Sequence, residues 1–169
     1  QLKFHGFDPK DALIVVKPDQ GTDYLSNQNW ADILEKEGEK IALVLLPGVQ
    51  YYTGQLVDIP GLTKAAQGHG CTVGVDLAHA AGNIPLSLHD WNVDFAVWCH
   101  YKYCNSGPGA VAGCFIHQKH ASNRALDRFA GWWGHDKATR FQMLEEFLPM
   151  NTAEGWQCSN PPIFSLASI

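Results

Sequence analysis

No stretch of eighteen consecutive apolar residues occurs in these 169 residues, so nothing reads as a membrane-spanning helix. A basic excess is missing too. Twelve Lys and Arg against 17 Asp and Glu give a net charge of -5 and a pI near 5.8, which argues against a nucleic-acid or anionic-membrane surface, since both attract basic patches. Gln1 opens no signal peptide, and there is no initiator methionine. Internal repeats, low-complexity tracts and interior linkers are absent. The five cysteines, Cys71, Cys99, Cys104, Cys114 and Cys158, are odd in number and scattered, so they read as small hydrophobes, mostly within apolar strands, in a reducing and hence cytoplasmic compartment. Among eight histidines, His117 and His120 stand three apart. A zinc site needs three or four converging ligands, and no cysteine or carboxylate cluster accompanies this pair. They are assigned to the turn after a strand, and no metal site is expected.

What is present is enough for one domain with a real core. Residues 12–16 (Ala12-Leu13-Ile14-Val15-Val16) form a short apolar run closed by Lys17-Pro18 and are expected as a strand. Ser26 can cap a helix over Asn27–Glu37, with Trp30, Ile33 and Leu34 on one face and Gly38 beyond its end. Residues 41–46 are continuously apolar, as in a parallel strand covered on both faces, and lead through Pro47-Gly48 into Tyr51-Tyr52-Thr53-Gly54-Gln55. Pro60 suits the first turn of a helix reaching Gly68, with Ile59, Leu62 and Ala65 or Ala66 inward. A strand over Thr72–Asp76 then completes a βαβ unit. Residues 93–99 and 111–116 are further strands; the short connection through Gly107-Pro108-Gly109 makes this last pair antiparallel. Residues 138–147 have helical spacing, with Phe141, Leu144 and Phe147 on one face. The chain closes on an apolar stretch, 163–169, with no helix stop signal, and reads as cut. The expected fold is α/β, a mostly parallel sheet with flanking helices.

Two residues at strand ends carry the chemistry. Lys102 follows the apolar run 93–99 within Cys99-His100-Tyr101-Lys102-Tyr103-Cys104 and precedes a glycine turn. A lysine there is partly desolvated, which favours the neutral amine that can form a Schiff base. An ordinary solvated lysine is the plainer alternative. Upstream, the strand 72–76 delivers Asp76 to its own carboxyl end, and ligands of open α/β sheets bind in the crevice outside those ends. An amine and a carboxylate converging there suit pyridoxal phosphate: the lysine holds the aldehyde and the carboxylate keeps the ring nitrogen protonated.

The sequence resembles the kynureninase family of aspartate-aminotransferase-like, fold type I pyridoxal-phosphate enzymes. The resemblance rests on Tyr52-Thr53-Gly54-Gln55, Gly74-Val75-Asp76-Leu77-Ala78-His79-Ala80, Leu88-His89-Asp90-Trp91, Asp94-Phe95-Ala96-Val97-Trp98-Cys99 running into Tyr101-Lys102-Tyr103, Gly131-Trp132-Trp133-Gly134-His135 and Ser159-Asn160-Pro161-Pro162-Ile163. These occur in the family's order, at close to its spacing, and cover essentially the whole chain. Asp76 and Lys102 alone would also fit a cysteine desulfurase, although no cysteine is clearly placed on a mobile loop for that chemistry.

The resemblance implies that Asp76, His79 and Tyr101 contact pyridoxal 5'-phosphate and that Lys102 bears it, with Tyr101 donating its phenol to the phosphate and serving as a proton donor during cleavage. It places Trp132 at the cofactor and Asn160 at the cofactor and the substrate's aromatic end. Taken as bare residues, Trp132 and Trp133 are equally core packing, and Asn160 before two prolines is equally a turn. Where the family often carries Ser-Gly this chain has Pro47-Gly48, so a serine contact at that point is not available. The implied reaction is hydrolysis of the Cβ–Cγ bond of L-kynurenine or 3-hydroxykynurenine to alanine and an anthranilate, in tryptophan catabolism and de novo NAD biosynthesis. Residues 1–169 would be an incomplete large domain of a homodimer, without the upstream phosphate-binding part and the carboxyl-terminal small domain. The alternative is a non-catalytic fragment that keeps the fold and associates with a full-length relative.

Overall fold

Capping residues set where the helices begin. In the computed structural model, which describes residues 1–169, Asp8 accepts from the Lys10 N–H and starts a single turn, α1 (Pro9–Ala12). Ser26 does the same for α2 (Asn27–Glu37) through a reciprocal capping box: its Oγ accepts from Asn29 N–H while Asn29 Oδ1 accepts from Ser26 N–H. Asp58 accepts from Gly61 N–H and Pro60 occupies the first turn of α3 (Ile59–Gly68). Between and after these helices lie β1 (Leu43–Pro47), β2 (Thr72–Asp76), β3 (Phe95–Trp98) and β4 (Gly113–Ile116), followed by two further single turns, α4 (Gln118–Ala121) and α5 (Ile163–Leu166).

The strands form one sheet in the order β1-β2-β3-β4. The first two pairings are parallel and the β3/β4 pairing is antiparallel. Pro47 pairs with Asp76 and Asp76 with Val97, so the carboxyl ends of the three parallel strands share one edge. One face of the sheet is covered. Val44, Leu46 and Val73 pack with Leu34 of α2 and Leu62 and Ala66 of α3; Val75 and Ala96 pack with Ile59, Leu77, Ala80 and Val93. Each fully buried Leu or Ile in this layer contributes about 1.5–3 kcal/mol.

The other face is not covered. Leu43, Leu45 and Val97 are 49%, 56% and 45% exposed, so β1 alternates buried and exposed positions instead of being enclosed on both sides as its apolar run suggested. Residues 12–16 are not a strand either: α1 ends at Ala12, and Leu13, Ile14 and Val15 are exposed with no neighbouring strand to pair with. The helix expected over 138–147 is a 3-10 turn, Arg140–Gln142, ended by Met143 at φ 52°. Its packing is inverted as well. Arg140 is buried, whereas Phe141 and Leu144, the supposed inner face, are exposed.

The cysteines also differ from expectation. Only Cys71 is buried; Cys114 lies in β4 but is exposed, Cys99 and Cys104 are half-buried beyond β3, and Cys158 is exposed. Burial raises the thiol pKa of Cys71, and partial desolvation by the protein around β4 raises that of Cys114 although its surface is accessible. No helix is long and apolar enough to cross a membrane.

Candidate active site

The loops that leave β2 and β3 are pinned to each other. Leu77 N–H donates to Val97 O, extending the ladder one step past the end of β2. Gly82 sits at φ 79°, and a Cβ there would meet Tyr103 O at 2.9 Å; the left-handed backbone and the close approach both require glycine. His100 anchors the second loop: Trp98 Nε1–H donates to its Nε2 and its Nδ1–H donates to Val111 O, a network that fixes the tautomer. Ser106 N–H closes the turn on His100 O. Lys102 is carried on this braced loop.

The result is a cluster at the carboxyl edge of the sheet. Lys102 is half-buried, and its Nζ lies 3.1 Å from His79 Nε2, its one hydrogen-bond partner. The Tyr101 ring centroid is 5.7 Å from the same Nζ. Two tyrosine rings neighbour His79, Tyr103 edge-on at 6.0 Å and Tyr51 tilted at 6.3 Å. Asp76 ends β2; its Oδ1 accepts from Ala78 N–H at 2.9 Å and its Oδ2 has no protein partner. Gly48 N–H donates to Asp76 O, which joins the 47–55 loop to this rim as the sequence suggested.

Trp132 and Asn160 lie elsewhere. Trp132 belongs to a 3-10 turn, Trp132–Gly134, and touches Trp133, Phe141 and Arg140; the exposed Asn160 bonds only Ser159. Neither makes a hydrogen bond or ring contact with the Lys102 cluster. Arg140 binds this second region together, donating from Nη2 to Trp133 O and His135 O, with its guanidinium 4.4 Å from the Trp133 ring and its Nε buried without a partner. A cavity of about 230 Å³ opens here, lined by Trp132, His135, Arg140 and Phe147 among others, and by none of Asp76, His79, Tyr101 or Lys102.

A third cluster occupies the opposite edge of the sheet. Asp94, 5% exposed, accepts from Val73 N–H and Gln67 Nε2 on one oxygen and from Lys119 Nζ and His120 Nε2, both at 2.7 Å, on the other. Burial opposes its ionisation, but these four donors outweigh it and bring the carboxyl pKa down to about 2. His117 caps α4 and stacks on His89 at 4.9 Å; burial, together with the Lys119 charge, lowers its pKa. The two histidines three apart thus serve the turn after β4.

Sequence reasoning assigned no role to Tyr51, Tyr103, Asp94 or Arg140. Tyr51 and Tyr103 lay within stretches already singled out, so their closeness to His79 was the missing information. Asp94 offered a signal in its position, a carboxylate between Val93 and Phe95 at the start of an apolar strand, where it must find donors or stay out of the core. Arg140 offered none.

Residues 15–123 match the class-V aminotransferase family. The chain belongs to that family. It is a member of the fold type I pyridoxal-phosphate superfamily and is closely related to kynureninases: it is 55% identical over all 169 residues to the kynureninase of Stenotrophomonas maltophilia and 57% identical over 164 residues, 97% of the chain, to that of Nematostella vectensis. It spans 40% and 35% of the lengths of these two relatives. Among solved structures, a cysteine desulfurase of Escherichia coli superposes with a TM-score of 0.63 at 17% identity, over 82% of this chain and 33% of that one, a likeness of fold alone.

Proposed function

We propose that these residues are the central part of the cofactor-binding large domain of a kynureninase, a hydrolase that cleaves the Cβ–Cγ bond of L-kynurenine or 3-hydroxykynurenine to alanine and anthranilate or 3-hydroxyanthranilate. The observation that carries the reading is the Lys102 amine held by His79 at the shared carboxyl edge of β2 and β3, where Asp76 also ends. The identity to kynureninases along the whole chain supports the choice of substrate.

The donor set fits pyridoxal phosphate. An amine is available for its aldehyde, and a carboxylate oxygen, Asp76 Oδ2, without a protein partner is available for its ring nitrogen. When bound, that group supplies the electron sink for carbon–carbon cleavage. Asp76 would keep a proton on the ring nitrogen, and His79 would contact the ring or its substituents. Lys102 would hold the group by its aldehyde, and its free amine would be the base for the proton of the substrate Cα. Tyr101 would donate its O–H to the phosphate and would serve as a proton donor during cleavage. Trp132 and Asn160, which make no contact with the Lys102 cluster in this chain, would serve the cofactor and the substrate's aromatic end only once those groups and the flanking segments are in place. The phosphate-binding part and the small domain belong, in this reading, to flanking segments of a longer cytoplasmic homodimer.

The uncovered sheet face favours a second reading, a non-catalytic piece that keeps the fold and associates with a full-length relative. One experiment separates the two. The purified chain is mixed with pyridoxal phosphate, its absorbance followed, the adduct reduced with borohydride and the labelled lysine mapped. Label on Lys102, lost in Lys102→Ala, is expected. Label on another lysine overturns the assignment of Lys102, and the same spectrum for both proteins leaves the non-catalytic piece.

A further inference from the structure

His79 is placed to do more than lie against a ring. Its Nε2 is 3.1 Å from Lys102 Nζ, and Nζ has no other hydrogen-bond partner in the protein. Its Nδ1 has no protein partner either, so the tautomer with the proton on Nδ1 leaves the Nε2 lone pair directed at the amine. Tyr103 and Tyr51 have their rings 6.0 and 6.3 Å from the imidazole, and Lys102 is carried on the loop that His100 braces. An ammonium cannot attack a carbonyl; it must first lose a proton, and the one protein group hydrogen-bonded to it is His79 Nε2.

We propose that His79 is the base that takes the proton from Lys102 Nζ and so makes this amine the nucleophile that captures an aldehyde. The step balances without a further reactant. A lysine ammonium and an aldehyde give a protonated imine and one water: the N–C bond forms, both C–O bonds of the carbonyl break, and the oxygen leaves with two protons that began on nitrogen. His79 Nε2 accepts the first of these and passes it to the departing oxygen. That the aldehyde is a cofactor's rests on the function proposed above; the reactivity of the amine does not.

The test therefore uses no cofactor. The chain is treated with trinitrobenzenesulfonate, which labels neutral amines, and labelling rates at Lys102 and at the exposed Lys64 are compared by peptide mapping. Lys102 is expected to react faster than Lys64 by about tenfold, an order below the roughly hundredfold a fully positioned general base supplies. His79→Gln, which can still accept a hydrogen bond but cannot take the proton, is expected to bring Lys102 down to the rate of Lys64. In His79→Ala, added imidazole is expected to restore speed at Lys102 and not at Lys64, a response that misfolding does not produce. Equal rates at the two lysines in the parent chain, an unchanged rate in His79→Gln, or no rescue by imidazole would each overturn the proposal. Borohydride trapping at Lys102 with a slow labelling rate would remove this role from His79 and leave the cofactor assignment intact; fast labelling without trapping would do the reverse.

Discussion

Asp94 is the residue on which the amino-terminal edge of the sheet depends. Its carboxylate joins α3 through Gln67, β2 through Val73 N–H, and α4 through Lys119 and His120. Replacing it with asparagine keeps the size but removes the charge and part of the acceptor capacity, leaving Lys119 and His120 without their anion. Asp94→Asn is expected to cost about 1–3 kcal/mol, read from the denaturant midpoint at pH 7. The folded carboxyl has a pKa near 2 and the unfolded one near 3.8, so its contribution is complete above about pH 4 and is lost as the pH falls through 2. The difference in stability between parent and variant should shrink across that window; a constant difference down to pH 2 would mean that the charge is not what holds the edge. Asp76 and Lys102, by contrast, were legible in the sequence, because a polar residue just past an apolar strand can only lie at the sheet's edge. The partners of Asp94 were not, since they come from three elements up to 27 residues away.

At the level of elements, local signals succeeded where the backbone satisfies itself and failed where a neighbour decides. Asn27–Glu37 was legible from its cap and periodicity, and Thr72–Asp76 from its apolar run and bounding turns. Residues 12–16 have the composition of a strand but no partner, and an unpaired strand leaves its backbone to water. The segment 138–147 has helical spacing, yet Asp136 accepts from Ala138 N–H, Arg140 turns inward to two backbone carbonyls, and Met143 adopts a left-handed conformation, so the turn ends after one round. The Trp132–Gly134 turn docks on the Ala153–Trp156 turn by backbone contact. A Cβ at Gly131 would fall 2.5 Å from Cys158 O and closer still to Cys158 Cα, neither of which can rotate away. Gly131→Ala is expected to destabilise this docking by about 1–3 kcal/mol, as overpacking does. Tryptophan emission should shift red at a lower denaturant concentration than the loss of sheet signal by circular dichroism. Coincident transitions at the parent's midpoint would show that the contact is dispensable.

The whole molecule is a sheet with one finished side. Parallel strands occur almost entirely with both faces covered, and the apolar run of β1 reads that way in sequence; the parallel β1/β2 and antiparallel β3/β4 pairings were legible from connection lengths, whereas the pairing of β2 with β3 and the absence of a cover were not, because they depend on what else packs there. Leu43 and Leu45 of β1 and Val97 of β3 lie on the open face, and β1 and β4 each leave one edge unpaired. An apolar patch beside an unpaired edge is a surface for association. The 169-residue chain by itself is therefore expected to self-associate with rising concentration in sedimentation velocity. Placing a charge at the centre of the patch opposes this without touching the packed side, since Leu45 is 56% exposed while its neighbours Val44 and Leu46 are buried. Burying one leucine is worth about 1.5–3 kcal/mol, so Leu45→Lys should raise the dissociation constant by about tenfold or more. The melting temperature should hardly move, because the residue makes little contact in the monomer. If Leu45→Lys instead unfolds the chain, the open face is packed in solution. If it leaves association unchanged, the chains meet along the edges of β1 or β4, and a charge there is what would separate them.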